Sequence, residues 1–193
     1  MRVLGVDLAL RRTGWAVVEG TAAQSRLVAR GVIVTTGDDH PTALHKIGAA
    51  ITTIIREQKP TQVCVEEPGR MNKAYGRSKE TTTTLAKALG VVLACCHALG
   101  VRVEEVPQSK AKGELTGNDY ASKEAVHTAL SYLALGGVLE GYTTPRRPKG
   151  GVDEDMDDAV AVALVGVRAA GPDTTQTGPH GRARSTTVRG RTR

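Results

Sequence analysis

The chain has 193 residues, with 26 Lys+Arg against 20 Asp+Glu and a formal net charge of +6. That length suits one domain with its own core, since domains run to about 100–200 residues; 40% hydrophobic and 24% charged residues exclude collagen-like and wholly disordered chains. One Trp, four Tyr and no Phe leave a core of Val, Leu, Ile and Ala, and few residues for stacking on bases.

Arg2 to Val6 is a β-branched run ending on Asp7, Thr13 to Glu19 is a second apolar run, and Arg26 to Thr36 is a third. Their short connections predict an antiparallel meander. Pro41 suits the first turn of a helix, along which Leu44, Ile47, Ile51, Ile54 and Ile55 recur at helical spacing as far as Pro60. Gln62 to Glu66 reads as a strand that ends in two acids and Pro68, and residues 69–79 form a basic loop without periodicity. Leu85, Leu89, Val92, Cys96 and Leu99 mark a helix with one narrow apolar seam. Arg102 to Val106 is a strand stopped by Pro107. A helix follows from about Ser122 to Leu133, then a Pro/Arg/Lys-rich connection from Thr143 to Gly151, then a last helix from about Asp153 to Ala170. Three strands, then helix–strand–helix–strand, then helices predict an α/β fold: a mixed five-stranded sheet flanked by helices.

The expected domain covers residues 1–170. Residues 171–193 hold five arginines, Arg182, Arg184, Arg189, Arg191 and Arg193, against the single acid Asp173. With Val188 almost their only bulky apolar residue, they are expected to form a disordered basic tail that adds nonspecific affinity for nucleic acid. Cys64, Cys95 and Cys96 have neither metal-ligand spacing nor an even disulfide framework and read as reduced core residues. Asp7 interrupts what a signal peptide would continue. No uncharged apolar run reaches the roughly 18 residues of a membrane span; the best, Ala159 to Val167, stops at Arg168. A cytoplasmic protein without membrane contact is expected.

Asp7 and Glu66 end strands, and ligands of α/β sheets gather beyond the carboxyl ends of strands. Asp155 and Asp158 lie three apart, on one face near the start of the last helix. Asp153, Glu154 and Asp157 fit the ordinary place of acids in a first helical turn, where the macrodipole stabilises them. Carboxylates brought together repel unless a cation neutralises them. Oxygen-only ligands suit Mg²⁺ or Mn²⁺, and two such ions about 3.5–4 Å apart can clamp a phosphodiester. The chain has no Cys/His set for zinc and no phosphate-cradling G-x-x-x-x-G-K-[ST] loop.

Gly5-Val6-Asp7-Leu8-Ala9-Leu10-Arg11-Arg12-Thr13-Gly14-Trp15 resembles the opening of RuvC-type Holliday-junction resolvases, the crossover junction endodeoxyribonucleases of bacteria and phage. The resemblance continues through Val65-Glu66-Glu67, Lys112 with Leu115-Thr116-Gly117, Ala121 and Lys123, and Asp155-x-x-Asp158-Ala-x-Ala-x-Ala, in the family's order over residues 1 to about 168. It implies a ribonuclease H-like fold. It makes Asp7, Glu66, Asp155 and Asp158 the catalytic carboxylates that hold two Mg²⁺ ions, with Mn²⁺ as substitute. Lys112 and Lys123 match the family's phosphate-holding positions, and Lys110 is a further candidate. The helix around Leu85–Leu99 would pair the subunits of a homodimer, which cuts four-way junctions by paired nicks in recombination and repair, alongside a branch-migration helicase. Relatives carry an aromatic wedge just after the second acid; Glu66-Glu67-Pro68-Gly69-Arg70-Met71 offers none, leaving Met71 or Tyr75 as substitutes and Arg70 as a neighbouring DNA contact. Asn118-Asp119-Tyr120 stands where a second glycine is usual, and Tyr120 is expected to be buried or half-exposed.

The missing wedge leaves open a second substrate class, flaps, forks or other branched DNA. A basic junction-binding protein without catalysis is the non-enzyme alternative, against which the presence of all four acids stands. A sugar-kinase or actin-like ATPase also opens on a Gly-x-Asp strand, but needs two lobes and a longer chain.

Overall fold

The computed structural model describes residues 1–68 and 79–169. β1 (Arg2–Asp7), β2 (Arg12–Gly20) and β3 (Ser25–Val34) form the expected antiparallel meander. Two hydroxyls brace the turn between β1 and β2: Thr13 Oγ1 donates to Ala9 O at 2.6 Å, and Thr35 Oγ1 donates to Leu10 O. α1 (His40–Gln58) starts where the Asp39 carboxylate accepts from the Thr42 N–H at 2.8 Å, with Pro41 in the first turn. It ends at Lys59 in the left-handed region, just before Pro60.

β4 (Gln62–Glu66) pairs parallel with β1, and β5 (Arg102–Val106) parallel with β4, with α2 (Lys79–Ala98) as the crossover between them. The chain closes with α3 (Gln108–Thr116), α4 (Lys123–Leu135), the two-residue β6 (Leu139–Glu140) beside β3, and α5 (Glu154–Ala169). The strand order is β5-β4-β1-β2-β3-β6. Two elements differ from expectation. β6 adds a sixth strand to the five expected, and it is too short to leave a hydrophobic pattern. α3 follows Pro107 directly and buries only Ala111, so no apolar periodicity announced it.

Strand alternation divides the core. Leu4, Val6, Val17, Val63 and Val65 face α1 and α2, meeting Ile47, Ile51, Leu89, Val92 and Cys96. Val3, Ala16, Val18 and Cys64 face α5, whose residues from Asp157 to Val167 are all buried. α3 and α4 cover the outer side of α5. Cys64 and Cys96 are buried free thiols, as expected, and burial lifts each to a pKa of about 11. Glu80–Ala98 has a mean hydropathy of 1.2 and is long enough to span a bilayer. Leu89, Val92 and Cys96 of that stretch are nevertheless packed into the core, and Lys87 and His97 lie on its exposed face.

Small side chains let α5 lie almost on the sheet. A Cβ on Gly5 would meet Ala159 O at 2.2 Å and Ala163 N at 2.5 Å. A bulkier residue at that place in β1 would lift the helix and the acids at its start.

Candidate active site

One row of the sheet assembles the site. β1 and β4 run parallel with Val6 opposite Val65, so Asp7 and Glu66 leave the same edge side by side. On its other side Asp7 pairs with Gly14 of β2. A Cβ on Gly14 would sit 1.9 Å from the backbone O of Asp155, so the start of α5 rests directly on that glycine. Helical periodicity then turns Asp155 and Asp158 toward one side.

These four carboxylates line a single cleft of about 550 Å³ together with Lys123, Arg11 and Gln108. Ser122 caps α4 by accepting from the Ala125 N–H, which sets Lys123 in the first turn. The Lys123 ammonium is 3.1 Å from Asp158 and 3.4 Å from Glu154. Burial works against its charge, but Asp158, Glu154 and Asp7 outweigh that and hold it firmly protonated. Burial pushes the Asp7 carboxyl well above the usual carboxylate range, and the charges of Glu66, Asp158 and Asp155 push it further. Asp158 is also raised, first by burial, with Lys123 and then Lys112 opposing. Lys112 is thus close enough for its charge to act on Asp158, although it does not line the cleft.

Other expected residues fall elsewhere. Lys110 is 3.7 Å from Glu104 of β5 and is not part of the cleft lining. Arg70, Met71 and Tyr75 lie outside the described residues, as do the basic loop from residue 69 to 78 and the tail from 171 to 193. Tyr120 is 84% exposed, on the turn three residues before Lys123, not buried or half-exposed as expected.

Two acids assigned to the helix dipole have other partners. Asp157 is buried and takes His127 Nδ1 at 2.7 Å and the Tyr142 hydroxyl, which donates at 2.9 Å. Asp153 is 2% exposed and accepts from Arg12 Nη2 at 2.8 Å, while Arg12 Nε donates to Asp155 Oδ2 at 2.8 Å. Sequence reasoning placed Arg12 in a turn and gave it no role. Its only sequence signal was its place as the second of two consecutive arginines in the connection after the strand that bears Asp7.

A hard divalent cation fits this donor set. The four acids are all oxygen donors, and the buried Asp7 carboxyl is destabilised as an anion by three neighbouring acids, a penalty a cation would reverse. As they stand, no three His, Cys, Asp or Glu side chains among the described residues are grouped tightly enough to hold an ion. Asp155 and Asp158 are instead engaged by Arg12 and Lys123.

Residues 3–166 match the family model described as crossover junction endodeoxyribonuclease RuvC. The protein of that name from Ruegeria pomeroyi is 32% identical over 164 residues, covering 85% of this chain and 89% of its own. That from Synechococcus sp. (strain WH7803) is 30% identical over 168 residues, covering 86% and 97%. Among solved structures, Thermus thermophilus RuvC in complex with a Holliday junction substrate superposes with a TM-score of 0.72 at 27% identity, over 88% of this chain and 94% of that one. The yeast mitochondrial Holliday junction resolvase shares the fold at 14% identity, with a TM-score of 0.61 over 84% and 76% of the two chains. The fold is therefore the ribonuclease H-like one of these enzymes.

Proposed function

The chain belongs to the RuvC family of crossover junction endodeoxyribonucleases, and on that footing we propose that it hydrolyses phosphodiesters at four-way DNA junctions, with Mg²⁺ or Mn²⁺ held in the Asp7 cleft. The observation that carries this reading is the row of Glu66, Asp7 and Gly14 that ends against Asp155, with Asp158 and Lys123 over the same cleft. In this reading Asp7, Glu66, Asp155 and Asp158 hold the ions. Bound there, such ions would lower the pKa of a water and stabilise charge on the oxygens of the phosphodiester.

Lys123 contributes a permanent positive charge beside Asp158, suited to a phosphate near the scissile bond. Lys112 adds to that field from α3. Such contacts position the backbone without reading sequence. The basic tail, through its five arginines, adds affinity of the same kind.

A four-way junction has approximate two-fold symmetry, so a C2 dimer sets one cleft on each of two opposed strands and makes paired nicks, leaving 5′-phosphate and 3′-hydroxyl ends. The seam expected to pair subunits is largely occupied, because Leu89, Val92 and Cys96 are buried in the chain's own core. The second copy therefore meets the opposite face of α2, where Ala86, Gly90 and Ala94 are exposed. The cell context that follows is recombination and repair in the cytoplasm, with a branch-migration helicase supplying mobile junctions.

The test compares nicking of a labelled mobile four-way junction with linear duplex and flap DNA, with Mg²⁺ and with EDTA, for wild type and Asp7→Asn. Paired, symmetric, Mg²⁺-dependent nicks on the junction, lost in Asp7→Asn while junction binding persists, are expected. Equal or better cutting of flaps moves the substrate to branched DNA in general. Cleavage surviving Asp7→Asn overturns the site assignment.

A further inference from the structure

Arg12 begins β2, where its backbone pairs with Val34, and its side chain reaches across to the start of α5. There the guanidinium forks: Nη2 takes Asp153 Oδ2 and Nε takes Asp155 Oδ2, both at 2.8 Å. Arg147 stands further off, with Nε 3.8 Å from Asp153 Oδ1 and Nη2 3.8 Å from Asp155 Oδ2. Both cations thus approach Asp155 through the same oxygen.

We propose that Arg12 is a positioning residue for the cleft: anchored on buried Asp153, it ties Asp155 by Oδ2 and leaves only Oδ1 for a divalent cation. The proposal rests on the reading of Asp155 as a metal ligand. The anchor distinguishes a fixed support from a mobile counter-ion that a metal would displace. Asp153 is held by its backbone, its N–H donating to Pro145 O at 3.0 Å and its carbonyl accepting from Met156 N–H at 3.2 Å. Its Oδ1 is buried without a hydrogen-bond partner, Arg147 standing off at 3.8 Å, so among the described residues Arg12 donates the one side-chain hydrogen bond its carboxylate receives. An uncompensated buried charge is costly, and that cost holds Arg12 in place whether or not the cleft is loaded.

Lysine cannot reproduce this, because a single ammonium lacks the planar fork that bonds two acids in fixed directions. Hydrogen-bonded partners of metal-ligating carboxylates commonly contribute about 10–100-fold to metal affinity. Arg12 is placed to act in that way on Asp155.

The experiment titrates the full-length protein with Mn²⁺ alone, followed by the electron paramagnetic resonance of free and bound ion, with thermal melting in EDTA as the companion measurement. Wild type, Arg12→Lys, Asp7→Asn and the double variant Arg12→Gln/Asp153→Asn are compared. The double variant removes the buried charge together with its partner, and so should melt close to wild type. Both Arg12 variants are expected to bind Mn²⁺ about tenfold or more weakly, with a bound-ion spectrum broadened relative to wild type. Wild-type affinity in the double variant overturns the proposal, and so does tighter binding in either, which would make Arg12 a competitor of the metal. Failure of the underlying reading looks different: Asp7→Asn then binds Mn²⁺ as well as wild type.

Discussion

Among the described glycines, Gly14 leaves the least room for a methyl group. The added methyl would lie 1.9 Å from the backbone O of Asp155 and 2.5 Å from its carbonyl carbon, where a real Cβ needs at least 3.0 Å. The shortfall of 1.1 Å falls on backbone, not on the end of a flexible side chain, so the start of α5 must move. Asp7 is the cross-strand partner of Gly14 and stays with the sheet. The substitution therefore separates Asp155 and Asp158 from Asp7 and Glu66 by about 1 Å while keeping every carboxylate. Misplacement of that size costs on the order of 10²-fold in rate. Overpacking costs about 1–3 kcal/mol, a fall in melting temperature of about 2–12 °C for a chain of this length. Single-turnover nicking of a four-way junction and thermal melting measure the two effects, and junction binding should change little. A Gly14→Ala enzyme that nicks at the wild-type rate would refute the view that this contact sets the spacing of the acids.

Three further outcomes are expected. Gly90→Glu places a charge on the exposed face of α2 through which we propose the copies pair, where a Cβ meets nothing within 4 Å; light scattering should show monomers with the helix content of wild type, and a dimer that persists would move the pairing surface elsewhere. Removal of residues 171–193 takes away a net four positive charges and should flatten the dependence of log K on log salt by up to about 3.6; an unchanged slope would leave the tail no part in binding. With Cys64 and Cys96 buried and their thiols at about 11, a disulfide reagent at pH 8 should find at most one reactive thiol in the native protein and three after denaturation; fast reaction of two would contradict the packing of β4 or α2.

Much of the site was legible in the sequence because its parts sit at punctuation marks. Asp7 and Glu66 each end a β-branched run at the side of a sheet where crevices form, and Asp155 and Asp158 share a helical face; it was the resemblance to the resolvases that singled these four out from the neighbouring acids. The strand alternation of β1 and β4 and the isoleucine periodicity of α1 likewise follow from local rules, since apolar residues at period two or 3.6 have one face to bury. α3 and β6 left no such mark, one burying a single alanine and the other spanning two residues.

What only the tertiary structure decided is which acids are exposed to the cleft and which are not. Asp153, Asp155, Asp157 and Asp158 look alike in a first helical turn, yet Asp153 is neutralised by Arg12 from β2 and Asp157 is tied to His127 and Tyr142. Those partners lie 141, 30 and 15 residues away, beyond any local signal. The same holds for Gly14, an unremarkable strand residue until α5 is laid against it. Sequence periodicity fixes which side of an element is apolar. The pairing of charges and the closeness of backbones depend on which elements meet, and that is settled only when the sheet and helices pack.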